Sequence, residues 1–401
     1  MWLCGKNLFL FFKGEDAIEK LLSFELASRN KIMKSKKTEI EEIAFTMIPL
    51  VGPIIARQLI SYCGTIETVF SEQKRFLKSI PGVGEEIATQ ITNSNSIFIA
   101  AEEELEIMKK ENIQYSFFTD EHYPSRLKHF PDSPLLLFTK GNLELNPERT
   151  VSIVGTRKPT VYGKSVTEEI IDTLSTYDVT IVSGLAYGID ITAHKHCLAL
   201  DIPTIGVMGS GMGNIYPDMH QPIAQKMMAR GGIITEFNYD TGPDAVNFPM
   251  RNRIVAALCD VLVVIESGVT GGSMITAALA NDYNKDVAAI PGRKVDKSSA
   301  GCNQLIKNQQ AHLIESGEDL LHLMSWDKKT KQQAYQADLF TTMEENEQKI
   351  YSLIVEHGEK DIDTLAFESK STPGELASIL LQLEFKGAIK SLPGKKYAAV
   401  G

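Results

Sequence analysis

The stretch TVSIVG at residues 150–155 is a β-branched run ending in glycine, and a helical pattern follows it at about 161–177. The unit then recurs. VTIV at 179–182 ends in Ser183-Gly184 and leads into a helix at about 187–200, and PTIGVM at 203–208 ends in Gly209-Ser210-Gly211. IITE at 233–236, VLVVI at 261–265 and VAAI at 287–290 continue the series. Apolar runs without polar alternation, separated by helical patterns, predict parallel strands buried on both faces. The expected fold class is α/β, an extended Rossmann-like doubly wound parallel sheet. Such sheets take ligands at the carboxyl ends of their strands.

Four small-residue loops fall at those ends: Gly155 to Arg157, Ser183 to Ala186, Gly209 to Gly213, and Glu266 to Ser273, the last holding Gly272. Glycine lets backbone amides approach a ligand, and helix N-termini add partial positive charge, so the shared property is an anion-binding rim. No G-x-G-x-x-G follows the first strand and no G-x-x-x-x-G-K-[ST] occurs, which disfavours a dinucleotide fingerprint and a P-loop. Arg157 sits at the first tip. Asn247, Phe248, Arg251 and Arg253 lie in NFPMRNR (247–253), opening a helix. Guanidinium groups grip phosphate bidentately, and an aromatic face stacks a base. Together they suit single-stranded nucleic acid. The competing reading pairs Arg253 with a core carboxylate and buries Phe248. Asp190 and His194 lie four apart on one helix face, a weak metal or general-base candidate, because no third ligand is evident. Neither a metal, a cofactor nor a catalytic residue is assigned.

Outward from this core, the chain has 401 residues, a net charge of −10, 43% hydrophobic and 23% charged content. That is an ordinary globular composition, neither wholly disordered nor broadly basic, with no run of the ~20 apolar residues of a membrane span. Cys4, Cys63, Cys197, Cys259 and Cys302 are scattered without a C-x-x-C pair, which argues against structural zinc or a disulfide framework and for a reducing cytoplasm. Cys197 and Cys259 read as small buried hydrophobes. Five regions are expected: an N-terminal extension at 1–37, with a start-like Met33; a helical domain at 38–110; the core at 111–325; a polar linker at 326–344; and a last domain at 345–401. In the helical domain IPLVGP (48–53) and IPGVGEE (80–86) each place a tight turn before a helix, the layout of a helix-hairpin-helix. Pro53 costs the first copy an amide donor, and Glu85 and Glu86 beside the second would repel phosphate, so a purely structural role is favoured there. In the last domain, helices at 345–356, 361–368 and 372–386 precede a β-hairpin at 388–399, and from Thr372 to Phe385 the third helix carries Glu375 and Glu384 but no Lys or Arg.

SIVGTR (152–157), SGLAYGIDITAH (183–194), G-x-G-x-x-x-x-Y-P (209–217), NFPMRNRIVAAL (247–258), GGSMITAALA (271–280) and AIPG (289–292), in this order, resemble the DprA (DNA-processing protein A, Smf) family over about residues 45–390. The resemblance implies a homodimeric protein of natural transformation that binds single-stranded DNA, shields it and loads the RecA recombinase, with no known enzymatic activity. It carries DNA contact onto Arg157, Phe248 and Arg251, and the phosphate pocket onto Ser183, Gly184, Ser210 and Gly211. The last domain resembles the winged helix that some members append, here better suited to a protein partner than to a DNA groove. One departure stands out: a basic residue often follows the family's Tyr-Pro, whereas Tyr216-Pro217 is followed by Asp218, Met219, His220 and Gln221. That contact is in doubt, or moves to Lys195 or Lys226. The rival is an enzyme. TGGSMIT (270–276) is similar to the phosphate loop of Rossmann-fold nucleoside-monophosphate phosphoribohydrolases, but no Glu follows closely downstream.

Overall fold

The computed structural model describes residues 34–326 and, apart from 358, 370, 387 and 393–395, residues 345–399. Most of the expected extension, the linker from 327 and Lys395 lie outside the described residues. The chain divides after Ser325 into two units.

The first unit opens with six helices: α1 Lys36–Thr46, α2 Pro53–Cys63, α3 Ile66–Ser71, α4 Lys74–Leu77, α5 Glu85–Thr92 and α6 Asn95–Lys110. Ser35 starts α1 by accepting the Thr38 N–H, a helix cap three residues ahead of the expected start at 38. The two hairpin turns fall where the motif puts them, before α2 and α5. Gly82 takes a left-handed φ of 79°, and the matching Leu50 is held at 65°. Glu85 is not a bare repulsive charge. It bridges Lys74 and Lys78, both at 2.5 Å, and the two ammonium groups hold its pKa down at about 2.

The sheet follows: β1 Gln114–Phe117, α7 Ser125–Lys128, β2 Leu136–Gly141, β3 Arg149–Val154, α8 Val161–Leu174, β4 Val179–Gly184, α9 Ile189–Ala199, β5 Thr204–Val207, α10 Gln221–Met227, β6 Gly231–Thr235, α11 Asn247–Leu258, β7 Val261–Val264, α12 Gly272–Asp282, β8 Asp286–Ala289, α13 Ala300–Lys307, β9 His312–Leu313 and α14 Gly317–Leu323. Their order is β1-β2-β6-β5-β4-β3-β7-β8-β9. From β6 to β9 all neighbours are parallel, and β4 and β7 flank β3, so the winding reverses at β3. β1 and β2, which the glycine-punctuated pattern does not reveal, add an antiparallel edge. One hydrophobic core joins the helical region to the sheet, running from Phe45 and Leu105 to Phe138, Leu185 and Met208. A second covers the opposite face under α11 and α12, with Val255, Leu262, Val264 and Ala277. Polar ties reinforce the join: Arg57 donates to the carbonyls of Pro131 and Ser133, and Glu104 accepts the Tyr239 N–H at 2.7 Å. Cys197, Cys259 and Cys302 are buried thiols.

The second unit runs α15 Glu345–His357, β10 Glu359–Asp361, α16 Ile362–Ser369, α17 Pro373–Phe385, β11 Ile389–Leu392 and β12 Lys396–Ala399, a winged helix with strand order β10-β12-β11. Thr372 and Glu375 form a reciprocal capping box with Pro373 in the first turn, a start signal visible in the sequence. β10 is three charged residues long and left no periodic signal. Leu376, Leu380 and Leu383 of α17 face the core, whereas Leu381 and Phe385 are exposed.

Candidate nucleic-acid interface

Three neighbouring strand tips build a cleft. The loop after β3 carries Arg157, β4 runs into Leu185, Ala186 and Tyr187, and β5 runs into Met208 and Gly209. The first turns of α11 bring Phe248 and Arg251, Tyr216 and Pro217 close one side, and the cleft holds about 60 Å³. Arg157 is exposed, and its guanidinium lies 5.9 Å from the centroid of the Phe248 ring. The Tyr216 ring is 5.9 Å from Phe248, inclined at 54°. Phe248 rests against Gly209, where a Cβ would come within 3.0 Å of the ring. A cation–π contact of this kind orients the guanidinium without neutralising it. The cleft therefore offers one accessible positive charge among three partly exposed aromatic rings: Phe248, Tyr187 and Tyr216.

The backbone beneath is over-determined. Gly188 has φ 88°, and a Cβ there would lie 2.1 Å from the Thr156 carbonyl oxygen and 2.7 Å from the Arg157 backbone. The Ile189 N–H donates to the Thr156 carbonyl at 3.2 Å, fastening α9 to the Arg157 loop. Arg251 is 5% exposed and donates to the Val207 carbonyl and, at 3.2 Å, to Asn252 Oδ1. Asp190 faces it across Gly184: a Cβ there would sit 2.4 Å from Arg251 Nη1 and 2.5 Å from Asp190 Oδ2. Burial pushes the Asp190 carboxyl up to about 6, against the pull of Arg251, the Ala186 N–H, Ser183 and Arg157. Burial also lowers the Arg251 pKa. Asp190 is thus the internal counter-charge of the cleft floor.

Several expected contacts are redirected inward. Arg253 pairs through Nη2 with Glu236, the two side chains being 11% and 12% exposed, and it is not among the residues that line the cleft. The Ser183 hydroxyl donates to the Ile153 carbonyl at 2.6 Å, and the Ser210 hydroxyl to the Asn214 carbonyl at 2.6 Å. The Gly211 N–H goes to the Thr241 carbonyl, and Asn247 donates to the Gly242 carbonyl at 3.4 Å. Ser273 donates to Ser267 Oγ at 2.8 Å, and with Gly272 opens α12 away from the Arg157 cleft. These polar groups are buried, and buried polar groups close on one another first. Lys195 and Lys226 are exposed on α9 and α10 and line no part of the cleft. Of the expected residues, the cleft brings together Arg157, Gly209, Phe248 and Arg251, with Gly184 as its floor. Tyr187 and Tyr216 join them, and an aromatic three residues past Gly184 and past Gly213 is the sequence signal for both.

Asp190 and His194 are both engaged by internal contacts. Among the described residues no cluster of three or more His, Cys, Asp or Glu could hold a metal ion. His194 is wholly buried, with Nε2 donating to the Gly184 carbonyl at 2.9 Å and Nδ1 at 2.7 Å from the Thr204 hydroxyl. Burial drives its pKa down to about 4 from 6.5. A depressed folded-state pKa means that stability is intact above 6.5 and lost as pH falls towards 4, by about 3 kcal/mol for a full proton. Asp190 has the opposite sign, losing stability as pH rises through its raised value. His194→Asn should therefore gain stability relative to wild type on acidification from pH 6.5 to 4, read as urea midpoints at each pH. Parallel midpoints for the two proteins would refute the assignment.

A larger groove of about 860 Å³ lies on the other side of the same loop, between the tips of β3, β7 and β8. At its base Glu266, 1% exposed, fills the N-terminus of α8. Its carboxylate accepts the Thr160 N–H at 2.8 Å and the Thr160 hydroxyl at 2.7 Å, and leaves no room for a Cβ at Gly163. This is the position where a Rossmann sheet ordinarily seats a phosphate.

Residues 114–325 match the family described as DNA recombination-mediator protein A, and residues 337–395 match the DprA winged helix domain. The chain is 34% identical to Protein Smf of Synechocystis sp. over 287 residues, 70% of this chain and 71% of that protein. It is 38% identical to the DNA processing protein DprA of Streptococcus pneumoniae over 202 residues, 50% and 71% of the two chains. The X-ray structure of the Streptococcus pneumoniae protein superposes with a TM-score of 0.58 at 30% identity, covering 72% of this chain and 98% of that one.

Proposed function

The chain belongs to the DprA (Smf) family of DNA recombination-mediator proteins, and on that premise we propose that it binds single-stranded DNA in the Arg157 cleft. Its role in this reading is to hold incoming strands during natural transformation and pass them to the RecA recombinase, working as a cytoplasmic homodimer. Relatives named as DNA processing proteins support the DNA-processing part of this reading. The observation that carries the single-strand part is the exposed Arg157 guanidinium set 5.9 Å over Phe248, with Tyr216 beside it. A phosphate meets the cation while the next base stacks on the rings, a combination that paired bases cannot use. No bond is made or broken. Two clefts in a dimer would hold one strand by avidity. The acidic remainder of the molecule limits non-specific binding, so affinity rests on few phosphates.

The test is a titration of fluorescent single-stranded and duplex oligonucleotides of one sequence at two salt concentrations. The expected result is clear preference for the single strand and a salt slope of ~0.7 per phosphate neutralised. Equal affinity for the duplex would overturn the reading.

A further inference from the structure

We propose that a single strand bound in the Arg157 cleft continues into the groove between the tips of β3, β7 and β8, with its phosphates along loop 292–299 and its bases against the start of α8. This extends the strand-binding reading above and rests on it. The two cavities share one wall: Arg157 lines the first and Thr160, three residues on, lines the second. A chain segment that short spans at most ~11 Å, so a strand crossing the loop passes from one cavity to the next.

The chemistry of the groove suits a ligand with two different edges. On one wall, Arg293 and Lys297 line it, with Lys294 beside them and Lys158 on the shared loop. Among the described residues Lys158, Lys294 and Lys297 have no ion-pair partner, and Arg293 bonds Asp296 through Nε alone at 2.9 Å. The opposite wall is apolar and acidic. Val161 is 86% exposed and Tyr162 51%, Glu266 and Glu315 stand near the tyrosine, and Val295, 81% exposed, adds apolar surface from the loop that carries Arg293 and Lys297. Apolar side chains this exposed around one groove mark a binding surface. An unpaired strand presents phosphates on one edge, and on the other base faces and amino groups, which stack on apolar side chains and donate to carboxylates. A duplex, with phosphates on both sides, would meet the carboxylate wall. A lone nucleotide cannot seat its phosphate at the α8 N-terminus, because Glu266 already occupies it. What remains for the groove is a polymer lying across its mouth.

The experiment measures binding of labelled oligothymidylates of ~6 and ~20 nucleotides, lengths that bracket one and two contact sites, by fluorescence anisotropy. The proteins are wild type, the Arg293→Ala/Lys297→Ala double variant, Tyr162→Ala and Arg157→Ala. The double variant should bind the longer oligonucleotide about tenfold more weakly, with a salt slope lower by up to about 1.4, while the short one binds as to wild type. Tyr162→Ala, which removes no charge, should weaken the longer one with the slope unchanged. The inference is overturned if the double variant and Tyr162→Ala affect neither length while Arg157→Ala weakens both. If Arg157→Ala affects neither, the Arg157 cleft is itself wrong and both readings fall. The substituted side chains are exposed, and matching thermal melts would confirm that the fold is retained.

Discussion

Arg157→Ala is expected to weaken single-strand binding by about 10- to 100-fold, corresponding to the ~1.5–3 kcal/mol of one charge-assisted hydrogen bond. Its melting temperature should stay within about 2 °C of wild type, since surface changes away from packed features cost under ~0.5 kcal/mol. Arg253 is bound to Glu236, and Arg251 is buried under Gly184 with Asp190 opposite. Arg157 alone of the three is exposed, and its contact with Phe248 is a ring face rather than a carboxylate. A phosphate therefore meets a charge that has not been neutralised. Arg157→Lys should recover only part of the loss, because an ammonium lacks the planar fork. Anisotropy titrations alongside melting curves separate binding from folding. Unchanged affinity in Arg157→Ala would remove the central residue of the interface.

Gly188→Ala should be the most damaging small substitution near the site. Alanine at a left-handed φ costs ~1–2 kcal/mol, and driving a methyl into packed backbone adds ~1–3 kcal/mol. The obstacle is the Thr156 carbonyl, 2.1 Å from the ideal Cβ, and the Arg157 backbone at 2.7 Å, neither of which can rotate aside. The loop that aims Arg157 would be displaced together with the start of α9. We expect a drop in unfolding free energy of ~2–5 kcal/mol by urea denaturation, and reduced strand affinity in the fraction that folds. Gly52→Ala, at a helix N-cap where nothing lies within 4 Å and φ is −81°, is the control and should cost no more than about 1 kcal/mol and leave strand affinity unchanged. A Gly188→Ala protein as stable and as tight-binding as wild type would show that the loop relaxes freely.

The parallel core was legible because its strands are buried on both faces, and a run such as Val261 to Val264 has no polar alternation to confuse it. The edge strands were not. β1 and β2 pair antiparallel at the rim, and QYSF carries no glycine-terminated signature. For the site, the sequence marks the strand tips that line the cleft but not what their polar groups bond. Serine and glycine at a tip look the same whether they face a ligand or the core. Ser183, Ser210 and Gly211 turn inward because the tips are packed against neighbouring backbone, a property of tertiary contact that spacing does not encode. The pairing of Arg253 with Glu236 joins residues 17 apart on different elements, and only the fold brings them together. The aromatic ring set failed for a simpler reason: Tyr187 and Tyr216 are far apart in sequence and meet only at the cleft.

Glu266 has one further consequence. Because its own carboxylate already takes the donors at the start of α8, that crevice offers no helix terminus to the phosphate of a free mononucleotide. On the proposed reading, a strand lying across that groove has no competitor at the helix terminus, and its contest with free nucleotides is confined to the exposed cations.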